Sequence, residues 1–142
     1  MSRIPRFQEH LKTGFTAEAV AAARFRAYAT KADDDGLPNL ASHWRQLAAE
    51  KDLLAIDQLR ASGQVRGEAT DIGSALSNER YEVDVLYPKM RREVDGEAAE
   101  VLDAVIDRQR GHLSRLEDLR QQFMAAKGDV DLPPEVDSGA HD

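Results

Sequence analysis

The sequence predicts an all-α protein: four amphipathic helices folded as two antiparallel hairpins, the hairpins pairing into a four-helix bundle. Three observations carry this. Apolar residues recur at steps of three and four through four long segments. Turn signals separate the segments, Gly36-Leu37-Pro38 after the first and Asp95-Gly96 before the last. No segment alternates with the period of two that marks a half-buried strand.

The first helix is expected over residues 5–34. Pro5 suits a first turn, where its missing N–H costs nothing. Leu11, Phe15, Glu18, Ala22, Phe25 and Ala29 form one stripe, and the alanine-rich run 17–23 has high helix propensity. Gly36 is placed as a C′ stop. Pro38 opens the second helix, which carries Leu40, Trp44, Leu47, Lys51, Leu54 and Gln58 on its stripe and ends near Ser62–Gly63. The short Gly36–Asn39 turn makes these two helices an antiparallel hairpin. Trp44 reads most simply as core, and His43 as a rim residue.

A polar connection, 63–70, leads to a third helix from about Asp71 to Val94, with a kink expected at Pro88. Its stripe is Ile72, Ala75, Glu79, Glu82, Leu86 and Met90. The fourth helix is expected from Glu97 to Lys127, with Ala98, Val101, Val105, Gln109, His112, Leu116, Leu119 and Phe123 facing inward. The bundle is thus expected over residues 1–127. The acidic, Pro-containing stretch 128–142 reads as a disordered tail.

Composition bounds the function. The chain has 142 residues, 42% of them hydrophobic, enough for one core. Its net charge of −7 argues against nucleic acid or an anionic membrane as a partner. No apolar run approaches the roughly 20 residues of a membrane span, and residues 1–12 lack the apolar centre of a signal peptide. A cytoplasmic location is expected. With no cysteine, a metal would have to be held by carboxylates and histidine.

The four stripes share one irregularity. Each is interrupted near its middle by polar residues: Glu18, then Lys51, then Glu79 and Glu82, then Gln109 and His112. Carboxylates on a core-facing stripe are costly unless a cation or hydrogen-bond donors meet them. Interruptions in all four helices point to one shared layer.

On these residues the chain resembles the rubrerythrin type of ferritin-like, di-iron carboxylate protein, over roughly residues 13–122. The stretches that carry the resemblance are GFTAEAVAAARFRAYATKADDDGLPNLA, AAEKDLLAIDQL, NERYEVDVLYP and DRQRGHLSRL. The resemblance places the family's first-helix ligand on Glu18 and its third-helix ligands on Glu79 and Glu82. It places one Glu-x-x-His on Gln109 and His112, and the other on Lys51 and Leu54. It also makes Tyr87, before Pro88, a neighbour of the metal.

The departures are informative. Lys51 replaces a bridging glutamate, Leu54 a histidine and Gln109 the other bridging glutamate. Two metal ions would have little negative charge between them. A lysine only donates hydrogen bonds and brings its own positive charge, so its ammonium can take the place of a metal beside Glu18 or Glu79. Glu50 and Asp52 are each turned about 100° off the stripe. Glu79 and Glu82 read alternatively as a solvated patch, His112 as a core histidine bonded to Glu82, and Tyr87 as a buried tyrosine with a bonded hydroxyl. His10 and His141 lie near the chain ends.

The leading expectation is a ferritin-like bundle with a degenerate di-iron site, serving as a non-catalytic structural or partner-binding protein. The alternative is a protein that holds one Fe, Mn or Zn ion through Glu18, Glu79, Glu82 and His112, and acts on peroxide or oxygen. At most one divalent ion is expected. A homodimer, its hairpins exchanged between protomers, is expected from the second connection and from the resemblance, and a simple up-down-up-down order would fit the short link too. A ferritin-like order needs that link to run the length of the bundle. Nine steps from Ser62 to Asp71 cover about 30 Å against roughly 28 Å required. Off-stripe Val83 and Leu102 are candidates for an apolar outer face.

Overall fold

A computed structural model of the protein describes residues 6–134. Among these the chain is helical, without strands: α1 (Arg6–Asp34), α2 (Pro38–Ala61), α3 (Glu68–Tyr81), a π-helical turn (Glu82–Leu86), α4 (Tyr87–Arg91) and α5 (Gly96–Ala125). Residues Gly128–Pro134 carry no helix or strand, and the rest of the expected tail, 135–142, lies outside the described residues. No helix among the described residues is long and apolar enough to cross a membrane. The chain divides at Arg66–Gly67 into two compact units, each a helical hairpin.

In the first hairpin α1 packs on α2. The turn between them is a Schellman stop: Leu37 N–H donates to Ala32 O at 2.8 Å and Gly36 N–H to Asp33 O at 3.0 Å. Gly36 sits at φ 76°, the left-handed region that an L side chain resists. Pro38 then supplies a preset φ for the first turn of α2.

The seam is made of small residues. Ala22, Ala29 and Ala32 of α1 and Ala41, Ala48 and Ala55 of α2 are buried. Those of α2 recur every seventh residue, and Ser62, also buried, continues the row. A seven-residue repeat of alanine lets two helices approach closely along a supercoiled seam. Phe25, Tyr28 and Trp44 cluster beside it, with Trp44 packed against Ala29, Ala32 and Ala41. Trp44, half-buried, lies 5.2 Å from Phe25 and edge-on to Tyr28 at 5.1 Å between ring centroids.

This corrects the expected face of α2. Leu40, Leu47 and Leu54, placed inward by periodicity, remain 44–49% exposed. The residues beside them, Ala41, Ala48 and Ala55, take the seam instead. A stripe wider than one seam has two rows, and the hairpin buries only the row of small side chains.

The second hairpin pairs α3, the π turn and α4 with α5. Its seam has a similar repeat, with Leu76 and Val83 on one side and Ala99 and Ile106 on the other, all buried. Val83 is therefore a seam residue, not part of an outer face. Leu102 is half-buried. Arg80 reaches Glu117 at 3.2 Å and Arg91 reaches Asp103 at 2.8 Å across the hairpin, both pairs solvent-facing.

The break expected at Pro88 takes a specific form. The ring of Pro88 has no N–H for the carbonyl of Asp84 and would collide with it in a regular α-helix. The turn before it is widened: Tyr87 N–H bonds to Glu82 O, five residues back. Such π turns are rare and cluster at functional sites. This one begins on Glu82.

Candidate functional site

The polar residues of the four stripes fall into two groups, one on each hairpin.

On the first hairpin Glu18 of α1 and Lys51 of α2 face each other across the seam, with Lys51 Nζ 2.8 Å from Glu18 Oε2. Both side chains are mostly covered, at 33% and 23% exposure for Lys51 and Glu18. Oε2 itself is buried and has no hydrogen bond of good alignment. Charge attraction, not a well-directed bond, holds the pair. Leu54, one turn on, is half-exposed and apolar, so no second donor stands beside the ammonium on that face of α2. The flanking residues turn away as the spacing predicts. Glu50 is exposed, and Asp52 pairs with Arg26 at 2.7 Å on the outer surface.

On the second hairpin Glu79, Glu82 and Gln109 lie together, all half-buried. The Gln109 amide sits between the two carboxylates. With its Nε2 toward Glu82 it donates at 3.3 Å. Turned over, the nitrogen donates to Glu79 instead, and the amide oxygen faces Glu82. In either orientation one carboxylate meets an amide oxygen, an acceptor against an acceptor. The pairs Arg80–Glu117, Arg91–Asp103 and Arg110–Asp107, among the described residues of this hairpin, involve neither Glu79 nor Glu82. His112 is exposed, and its Nδ1 lies 3.4 Å from Gln109 Oε1. The imidazole meets Gln109, not Glu82 as the core-histidine reading expected. Tyr87 is half-buried at the end of the π turn.

The chemistry of this donor set does not fit a two-metal centre. An ammonium stands at residue 51, an alkyl group at 54 and a neutral amide at 109. Among the described residues no group of three or more His, Asp or Glu is arranged to hold a metal ion. What the two groups offer is ion pairing. One hairpin presents an ammonium already beside a carboxylate. The other presents two carboxylates with a single amide between them.

Two features escaped the sequence reading. The alanine seam leaves a signal in the seven-residue spacing of 41, 48, 55 and 62, beside the apolar stripe. The π turn leaves only Pro88 as a trace. Compared with known proteins, the chain matches no family model and no curated sequence.

Proposed function

We propose that this chain is a rubrerythrin-like ferritin-fold protein whose di-iron site has degenerated, and that it works as a non-catalytic structural or partner-binding bundle. The Lys51–Glu18 pair carries this reading. It puts a fixed positive charge where the resemblance implies a bridging carboxylate, so the layer is neutralised by a side chain in place of a metal. The expected setting is the cytoplasm.

A second reading rests on the two carboxylates, Glu79 and Glu82, that lie about the one Gln109 amide. A single divalent ion held by Glu18, Glu79, Glu82 and His112 would supply the missing charge, with Tyr87 beside it. Elemental analysis of protein purified after iron supplementation separates the two. The degenerate-site reading expects well under about one metal ion per chain. One ion per chain, lost in His112→Ala, establishes the second reading. Two irons per chain overturn both.

A further inference from the structure

Where α5 ends, the chain turns back along it. Ala126 leaves the helix extended, at φ −74° and ψ 146°, and the chain bends at Lys127 and Gly128. Residues 129–134 then form one wall of a cleft of about 940 Å³. Helix α5 forms the other wall, at Gly111, Ser114, Arg115, Asp118 and Leu119. The lengths fit an antiparallel course. Gly111 to Ala126 is about 22 Å of helix at 1.5 Å per residue, and the eight steps from Ala126 to Pro134 reach about 26 Å. Arg120 of α5 lies away from this cleft, in the groove shared with Leu76 of α3.

The returning segment is not fastened to the helix. Among the described residues none of 127–134 bonds to α5; the hydrogen bond the segment makes is local, from Val130 N–H to Asp129 Oδ1 at 2.8 Å. Val130 is half-buried, but Leu132 is 87% exposed. Arg115 on one wall, and Asp129 and Asp131 on the other, form no ion pair among the described residues. An uncovered leucine and unpaired opposite charges therefore line the same open cleft.

We propose that residues 129–134 are a strap that closes on α5. The chain pivots at Lys127–Gly128, Leu132 seats beside Leu119, and Asp131 comes to Arg115. The chain's own segment is the occupant of this cleft. Burial of the leucine drives the closure. The charges aim it, since a solvent-facing ion pair contributes little by itself. Pro133 confines Leu132 to extended backbone, and the two prolines stiffen the arm. The movement is left to the bend, where Gly128 lacks the restriction that a Cβ imposes. Asp118 opposes the closure, because it is a carboxylate on the wall that Asp129 and Asp131 must approach. The balance between Arg115 and Asp118 sets how far the strap closes.

The test uses the full chain, whose lack of cysteine makes an introduced pair unambiguous. Ser114→Cys with Pro134→Cys spans the cleft and keeps Leu132. Arg120→Cys with Pro134→Cys is the control, on the α3 side of the helix. Both pairs are equilibrated in a glutathione redox buffer, and the intramolecular disulfide is measured by mass after remaining thiols are alkylated. The 114–134 pair is expected to show an effective concentration at least about tenfold above that of the 120–134 pair. Adding Leu132→Ser or Arg115→Glu is expected to lower it at least about threefold, and Asp118→Lys to raise it. All the substituted positions are exposed, so the fold is expected to survive each change. Equal values for the two pairs would mean that the segment does not lie on this face, and the strap is overturned. A high 114–134 value that none of the three added substitutions moves would overturn the closure by Leu132 and Arg115.

Discussion

Lys51 holds its Nζ 2.8 Å from Oε2 of Glu18, across a seam whose buried residues are alanines and Ser62. That relationship links the packing of the first hairpin to its chemistry. A buried carboxylate oxygen is tolerated there because an ammonium on a flexible stem can reach it. Without the ammonium, Glu18 is an uncompensated charge in a small-residue seam.

Lys51→Met is therefore expected to lower unfolding stability by about 1–3 kcal/mol. The pair is partly solvated, so the loss stays below that of a fully buried pair. Adding Glu18→Leu to Lys51→Met removes the stranded carboxylate and is expected to recover most of the loss, since an apolar replacement of both partners is often neutral. Urea denaturation of the three proteins checks this. A Lys51→Met protein that unfolds with wild type would mean that the pair contributes nothing.

The same pair and the Gln109 amide set what metal binding needs. On the proposed family template, Lys51→Glu, Leu54→His and Gln109→Glu together supply two carboxylates and one imidazole at the ligand positions that the resemblance implies. The triple variant is expected to take up about two iron ions per chain where wild type does not, because the family template needs four glutamates and two histidines. Elemental analysis reads this directly. An unchanged metal content in a folded triple variant would show that the two polar groups do not converge.

Much of the fold was legible, for one physical reason. Long stripes with a period of 3.6, stopped by Gly36 and opened by Pro38, leave little choice but helices, and the observed ends of α1 and α2 fall within a residue or two of those expected. The chemistry of Lys51 was legible too, since a cation on an apolar stripe has few partners but the carboxylate level with it. What the stripe did not reveal is which of its rows a hairpin buries first. Leu47 and Ala48 are neighbours on one broad face. Packing chose Ala48 because small side chains let the backbones close up, which leaves Leu47 44% exposed. The π turn was hidden for a different reason. It depends on how one chain absorbs the bulk of Pro88, a local compromise with no periodic signature.

The alanine seam makes a prediction of its own. Ala48 is 2% exposed between two helix backbones, whereas Ala49 points to solvent. Ala48→Leu is expected to destabilise the protein by about 1–3 kcal/mol through overpacking. Ala49→Leu should change stability by no more than about 0.5 kcal/mol. Midpoints of denaturant unfolding compare them. Equal midpoints would show that the seam has room for a larger side chain and that close approach is not what the heptad of alanines secures.

Gly14 offers the opposite case, a small residue expected to be dispensable. It lies inside α1, where glycine costs roughly 0.5–1 kcal/mol relative to alanine through lost backbone freedom. A Cβ built there would land on the Gln58 side-chain amide, with Cδ at 2.7 Å and Nε2 at 3.1 Å. The three nearest atoms it meets all belong to the end of a flexible side chain. Gln58 is half-buried, and its Nε2 makes one long bond to Leu54 O at 3.3 Å, which water can replace once the amide swings out. The helix gain should outweigh that loss. Gly14→Ala is expected to raise stability by about 0.5 kcal/mol, and the gain should grow when Gln58→Ala removes the obstacle. Thermal melts of the two single variants and the double decide it. If Gly14→Ala instead lowers stability by more than about 1 kcal/mol, and Gln58→Ala restores it, the amide is fixed in place and the glycine is there to admit it.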